Sequence, residues 1–300
     1  MTENRKTVKL FLLRHGESEL NHAKIFCGWI DAHLTDKGKD QARSSASLIA
    51  SFCREHGIEP PLVGYTSRLL RTIETMQVIM KELRRAAVFQ TVVDTADALA
   101  VVDKVTAAGQ TPVLQVWTLN ERHYGSWQGQ RKSSVLEQFG KSDYMLIRRD
   151  YNGRPPAVDL GREMIQEDNE QGPLTGYDFK EPNRRLKYGP ELEKAIELPR
   201  NESLADVIKR LAPFLNEVVL KLLHELGESA IIVAHGSTVR SVLKILANIS
   251  EEDIKDIDIP TGNPLVIELN ASDMSFVRHF YLDPESARKE AENVRNEGCN

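Results

Sequence analysis

The sequence predicts an α/β fold: a single three-layer α/β/α domain over residues 1–300, with a mostly parallel sheet flanked by helices. Three observations predict it. The stretches Val8–Leu13 (Lys9 apart) and Ala230–Ala234 are continuously apolar rather than alternating, as in strands covered on both faces. Between such stretches, apolar residues recur at helical spacing. Finally, 300 residues with 41% hydrophobic and 28% charged side chains have the balance of a globular domain, which excludes a fibre, a coiled coil or a disordered chain.

Each element can be justified in chain order. Val8–Leu13 is a buried strand ending at Arg14-His15-Gly16. Thr35-Asp36-Lys37-Gly38 opens a helix, Ala42, Ala46, Ile49 and Cys53 mark its apolar face, and Gly57 stops it. Pro61–Tyr65 is a second short strand, followed by a helix carrying Leu69, Ile73, Met76, Met80 and Leu83 on one stripe. Ser203-Leu-Ala-Asp206 has the form of a capping box and begins a helix through Leu204, Val207, Leu211, Leu215, Val218 and Leu222. Pro213 should kink that helix and Gly227 should end it. Ala230–Ala234 is a strand ending at His235-Gly236, with a helix after it, and Pro264–Leu269 and Phe276–Phe280 close the sheet. Two segments, near 86–110 and 152–190, break this alternation and read as insertions. Ala86–Gln110 has no firm period, and Asn152–Pro190 is polar, rich in Gly and Pro, and resembles a lid.

Composition narrows the setting. No apolar run approaches the about 20 residues of a transmembrane helix, and the polar start, Met1–Lys9, lacks the apolar core of a signal peptide. The expectation is a cytoplasmic protein with no membrane partner. A net charge of −5 argues against nucleic acid as a partner. Cys27, Cys53 and Cys299 are odd in number and widely spaced, which argues against a disulfide framework or a zinc site. There is no His-Glu-x-x-His motif and no Gly-rich nucleotide loop, so no metal is expected.

The chemistry gathers at two strand tips. Arg14-His15-Gly16 and Ala234-His235-Gly236 each place a histidine at the C-terminal end of an apolar strand, followed by a glycine that permits close backbone approach. Open α/β sheets bind ligands at those ends, and helix N-termini there favour anions. A lone His-Gly is common, and His56-Gly57 is read as a helix end. Two such tips in one sheet could instead converge on one phosphate. Arginines are natural phosphate clamps. Arg14, Arg71, Arg122 and the Arg148-Arg149 pair are candidates; each alone would pass for a solvated charge.

These residues also carry a resemblance. Arg14-His15-Gly16-Glu17-Ser18-Glu19-Leu20-Asn21, then Phe26-Cys27-Gly28-Trp29-Ile30-Asp31, resembles the opening of the cofactor-dependent phosphoglycerate mutases of the histidine phosphatase superfamily. Tyr65–Thr72, Leu119–Gly125, Gln128-Gly129, Lys132, Arg148-Arg149, Glu202–Asp206, Ala234–Gly236 and Ile259–Gly262 continue it, most like fungal mutase-like paralogues with an extended middle. The resemblance implies interconversion of 3-phosphoglycerate and 2-phosphoglycerate in glycolysis and gluconeogenesis, primed by 2,3-bisphosphoglycerate and without metal. It implies His15 as nucleophile, Glu121 as proton donor and acceptor, and Arg14, Arg71 and His235 around the transferring phosphoryl group. It implies substrate contacts by Asn21, Cys27, Gly28, Arg122, Tyr124, Lys132, Arg148, Arg149, Gly236 and Ser237. The partners so implied are small phosphorylated sugar acids, and a homo-oligomer is left open.

Departures are visible. Cys27 stands where the family has Thr, Ser237 where it has Asn, and Leu20 where it has Trp. The 86–110 segment precedes Glu121 and could displace it. Two alternatives therefore stand beside the mutase: a histidine phosphatase, in which water accepts the phosphoryl group, and a catalytically weak paralogue with a binding or regulatory role.

Overall fold

The computed structural model of the chain describes residues 7–159 and 187–296. Among these, seven strands form one sheet in the order β3-β4-β2-β5-β1-β6-β7: β1 (Thr7–Arg14), β2 (Val63–Thr66), β3 (Ala87–Thr91), β4 (Thr111–Gln115), β5 (Ser229–Ala234), β6 (Leu265–Asn270) and β7 (Phe276–Tyr281). The β3-β4-β2-β5-β1 run is parallel, and β6 lies antiparallel to both β1 and β7. The mostly parallel sheet expected from the apolar strands is present.

The helices are α1 (Glu19–His22), α2 (Asp36–Glu55), α3 (Leu70–Glu82), α4 (Thr95–Ala107), α5 (Lys132–Arg149), α6 (Gly189–Glu193), α7 (Leu204–Phe214), α8 (Lys221–Leu226), α9 (Gly236–Ala247) and α10 (Pro284–Asn296). They form two outer layers because strand side chains alternate in direction. From β1, Phe11 and Leu13 point to a core shared with Ala42, Ala46, Ile49 and Phe52 of α2 and Met76, Ile79 and Met80 of α3. Val8, Leu10 and Leu12 point to the opposite core, with Ala98 and Val102 of α4, Leu211 of α7, Leu222 and Leu223 of α8 and Val239, Val242 and Leu243 of α9.

Local signals behave as their chemistry requires. Thr35 caps α2 by accepting the Gly38 N–H, and Gly57 follows its end at φ +60°. Ser203 and Asp206 form a complete capping box on α7. After Pro213, which has no N–H to give, the chain widens into a π-helical stretch over Leu215–Leu220 before α8. Gly227 ends α8 at φ +67°.

Two expectations need correction. Residues 86–110 are not an irregular insertion: they supply β3, at the sheet edge, and α4. The helical period was obscured because α4 is apolar nearly all round, with Leu99, Ala100 and Val101 beside its buried Ala98, Val102 and Val105. The second strand runs over Val63–Thr66, later than Pro61–Tyr65. Of the lid reading at 152–190, residues 160–186 lie outside the described residues, while Gly189 and Pro190 open α6.

Candidate active site

β1 and β5 are neighbours in register, Arg14 opposite Ala234, so their C-terminal tips bring His15 and His235 together. The rings lie 5.1 Å apart between centroids, and both residues are buried. Gly16 is required by packing: a Cβ there would meet the Gly38 carbonyl oxygen at 2.3 Å. Gly236 differs, since a Cβ would make only ordinary contacts with Arg14 at 3.8 Å or more; the crowding expected of both glycines exists at one.

His15 has its tautomer fixed by its own chain. Nδ1 lies 2.7 Å from the Gly16 carbonyl oxygen, which can only accept, so Nδ1 carries the proton. Nε2 is left with a lone pair, and the Nε–H of Arg71 donates to it at 3.2 Å. Arg71 is itself oriented by two carbonyls, Gly28 at 2.7 Å and Ile30 at 2.9 Å. Gly28 holds that position at φ +51°, where a Cβ would strike the Gln128 side chain. Burial, then the Arg71 and Arg14 charges, push His15 well below the usual imidazole range. The ring is therefore neutral at neutral pH, the state a nucleophile needs. His235 is pushed the same way by burial, Arg71, His15, Arg210 and Arg14.

Glu121 sits on the same cavity wall. Its carboxylate accepts the N–H groups of Arg122, at 2.8 Å, and Ser237, at 3.3 Å. Its backbone is held from behind: the Trp29 indole N–H and Arg210 donate to its carbonyl at 2.7 and 3.0 Å. Arg210 also donates to the Asn120 carbonyl and forms a buried ion pair with Glu202, which accepts the His123 N–H. The 86–110 segment does not displace Glu121, because it packs at the far sheet edge.

The cavity at these tips is lined by Arg14, His15, Asn21, Cys27, Gly28, Arg71, Glu121, Tyr124, Lys132, Arg148, Arg149, Gly236 and Ser237 among others. Two sequence-predicted residues are not on its wall. His235 lies behind, against His15. Arg122 is buried with its guanidinium donating to the Ile147 carbonyl at 2.9 Å and stacking 4.7 Å over Tyr124. Cys27 donates to the Ile30 carbonyl, and burial pushes its thiol up to about 11, so it is not a thiolate. Arg149 forms an ion pair with buried Asp258, which also takes Arg295 of α10.

The sequence reading missed Arg240 and Asp258, both on the wall. Arg240 lies one turn down α9 from Gly236, and that spacing was its available signal. Its Nη2 donates to the Ile254 carbonyl at 2.7 Å, and its buried Nε has no partner. Burial beside Arg122 and Arg149 lowers it to about 10. The wall carries six cationic side chains, Arg14, Arg71, Lys132, Arg148, Arg149 and Arg240, against two carboxylates, Glu121 and Asp258. Buried Nε atoms of Arg14 and Arg240 and Nη2 of Arg149 lack partners, which suits a ligand with several anionic oxygens. Among the described residues no group of three His, Cys, Asp or Glu is placed to hold a metal ion, and no helix is long and apolar enough to cross a membrane.

The chain is similar to several known proteins. The family model of the histidine phosphatase superfamily (branch 1) matches residues 10–97 and 167–281. The chain is 59% identical over 294 residues to phosphoglycerate mutase 3 of Saccharomyces cerevisiae, covering 97% of each. It is 36% identical over 292 residues to the 2,3-bisphosphoglycerate-dependent phosphoglycerate mutase of Nocardia farcinica, covering 97% of this chain and 99% of that one. Among solved structures, the phosphoglycerate mutase from Bacillus anthracis superposes with a TM-score of 0.58 at 15% identity, over 95% of this chain and 97% of that one. A mycobacterial glucosyl-3-phosphoglycerate phosphatase in complex with VO3 gives 0.58 at 17% identity, over 91% and 98%. At those identities the structural likenesses show the fold alone.

Proposed function

The chain belongs to the histidine phosphatase superfamily, among its phosphoglycerate mutases, and on that premise we propose that it interconverts 3-phosphoglycerate and 2-phosphoglycerate, a step of glycolysis and gluconeogenesis. The observation that carries the reading is His15: a buried, neutral imidazole on the wall of a cavity lined by cations, its Nε2 unprotonated and accepting from Arg71. A neutral imidazole is a good nucleophile toward phosphorus, and the guanidinium beside it neutralises the incoming charge.

The roles follow from placement. His15 Nε2 attacks phosphorus, the bond to the donor oxygen breaks, and the phosphoryl group rests on Nε2 until a substrate hydroxyl takes it. Arg14 and Arg71 hold the equatorial oxygens, whose charge spreads in the transition state. Glu121 takes the proton of the attacking hydroxyl and returns it to the departing one. Lys132, Tyr124, Arg148 and Arg240 hold the carboxylate and the phosphate that is not reacting. The unpartnered guanidinium atoms fit 2,3-bisphosphoglycerate, which would lie against Arg14, Arg71, Arg149 and Arg240. When bound, it supplies the phosphoryl group that primes His15. The proposed setting is the cytoplasm.

The test uses purified full-length chain and 3-phosphoglycerate. We expect 2-phosphoglycerate to form, faster when 2,3-bisphosphoglycerate is added, with acid-labile, alkali-stable phosphate on the protein. His15→Ala should abolish both. Labelling without transfer to phosphoglycerate, phosphate release instead of 2-phosphoglycerate, or a phosphoenzyme surviving in His15→Ala would each sink the reading.

A further inference from the structure

His235 is held by a hydroxyl pair whose protons can be counted. Its Nε2 lies 2.8 Å from Ser67 Oγ, and Ser67 Oγ lies 2.7 Å from Thr72 Oγ1. Thr72 Oγ1 also sits 2.8 Å from the Leu69 carbonyl oxygen, which can only accept. The Leu69 carbonyl already accepts the Thr72 and Ile73 N–H groups, but two oxygens held 2.8 Å apart need a hydrogen between them, so the one Thr72 proton goes to Leu69 and Thr72 accepts from Ser67. That spends the one proton of Ser67. The Leu69 N–H occupies one Ser67 lone pair at 3.1 Å. The remaining lone pair faces His235 Nε2, which must therefore carry hydrogen. All three side chains are buried, so no hydrogen bond to solvent competes with this order. It is the opposite tautomer to that of His15.

The consequence lies at the other ring nitrogen. His235 Nδ1 is buried with no partner; the charges that act most on the ring, Arg71, Arg210 and Arg14, are cations, with neutral His15 alongside, while the Glu202 and Glu121 carboxylates are engaged by Arg210 and by the Arg122 and Ser237 N–H groups. In the neutral Nε2–H form Nδ1 is a bare acceptor set behind the cavity, on a ring 5.1 Å from that of His15, so it has no proton to offer a phosphoryl group carried on His15. We propose that Ser67 and Thr72 are positioning residues that lock neutral His235 as the Nε2–H tautomer, so that a phosphoryl ligand is accepted only together with one proton, taken from solvent onto Nδ1. Burial, and after it the surrounding positive charge, keeps the ring neutral; the incoming anion offsets the second of these. The nature of the ligand rests on the function proposed above; the tautomer does not.

The experiment reads the tautomer directly. Full-length protein labelled with 15N-histidine is observed by two-bond 1H–15N correlation, and His235 is assigned by the signals missing in His235→Asn. The free protein should show Nε2–H with unprotonated Nδ1; vanadate, as a phosphoryl mimic, should leave both nitrogens protonated. Thr72→Val removes the acceptor for the Ser67 proton, which then turns toward Nε2 and flips the ring to Nδ1–H. One hydrogen bond supports a preference of about five- to tenfold, so the change should be from a minor to the major form. Proton uptake on vanadate binding, from calorimetry in buffers of different ionisation enthalpy, should fall by about one per site in Thr72→Val relative to the parent.

A free protein carrying Nδ1–H, a Thr72→Val protein retaining Nε2–H, or a vanadate complex with neutral His235 would each overturn the proposal. If Thr72→Val does not fold, judged by the other histidine signals, Ser67→Ala replaces it; removal of the bond to Nε2 should give a mixture of tautomers, and an unchanged spectrum overturns the role. Absence of mutase turnover would leave the free-state tautomer standing, so the two readings fail separately.

Discussion

At the scale of the residue, the site depends on groups that keep, at acid pH, a charge state they would lose in water. His15 and His235 stay neutral in the folded protein but bind protons at about 6.5 when unfolded. Below that pH the unfolded chain binds more protons, so stability should fall as pH falls through 6.5. His33, raised by its bond to Glu74, acts in the opposite sense, but it is largely exposed. Melting temperatures between pH 7.5 and 5 should drop, and His15→Gln or His235→Gln should flatten the slope; an unchanged slope in both would show that burial of the histidines is not its source. Glu121→Gln keeps the hydrogen bonds from Arg122 and Ser237 and removes the proton, so mutase turnover should fall about 10²–10⁴-fold while His15 remains able to be phosphorylated. A loss below about tenfold counts against the role. Arg240→Ala removes a charge-assisted contact worth roughly 1.5–3 kcal/mol, so KM for phosphoglycerate should rise about 10–10²-fold, and a normal KM would return Arg240 to a purely internal role. The Arg148→Ala/Arg149→Ala pair should lose stability as well as affinity, because Asp258 would keep only its exposed partner, Arg295.

At the scale of the element, the histidine tip of β1 is set by two glycines that touch. A Cβ on Gly16 would meet the Gly38 carbonyl at 2.3 Å, and one on Gly38 would meet the Glu17 carbonyl at 2.1 Å. Gly38→Ala must push α2 away from the loop that carries His15; overpacking of this kind costs typically 1–3 kcal/mol. Denaturant midpoints and turnover should fall together, and a variant with normal values for both would show that the contact yields freely. Elements with strong local signals were legible in the sequence. The apolar runs gave β1 and β5, the Thr35 cap and Gly57 bounded α2, and the capping box placed α7. What was hidden had mixed local signals. α4 is apolar on most sides, and α5 is broken at Gly140, which sits at φ +75°, so its period slips midway. Most wall residues were named through the family resemblance; only Arg14, His15, Gly236 and Ser237 adjoin the two strand-tip motifs. Arg240 and Asp258 were not named, since each reads locally as an ordinary surface charge and reaches the cavity only through tertiary packing.

At the scale of the whole molecule, charge is segregated. The chain carries −5 overall, yet the cavity wall has four more cations than anions. The attraction for an anionic substrate is therefore local and short-ranged, and the rest of the surface opposes it. With a screening length of about 10 Å at 0.1 M salt, added salt should weaken the distant repulsion and the near attraction unequally. The near term should dominate, so kcat/KM should fall several-fold between low salt and 0.3 M, mostly through KM. A salt-independent kcat/KM would mean that encounter does not depend on the cationic wall.

The strand order also bears on how the chain is made. β1 is synthesised first, yet its neighbours are β5 and β6; Leu10 sits between Ala230 and Ile267. On a ribosome adding 5–20 residues per second, this buried strand waits roughly 10–50 s for its partners. Until then its two edges are open templates for other chains. His15 gains its backbone hydrogen bond, to Ala234, in the same closure. The proposed nucleophile is thus placed only when the C-terminal third has docked, and nascent chains halted before β6 should be protease-sensitive from their first strand onward and depend on chaperones to stay soluble.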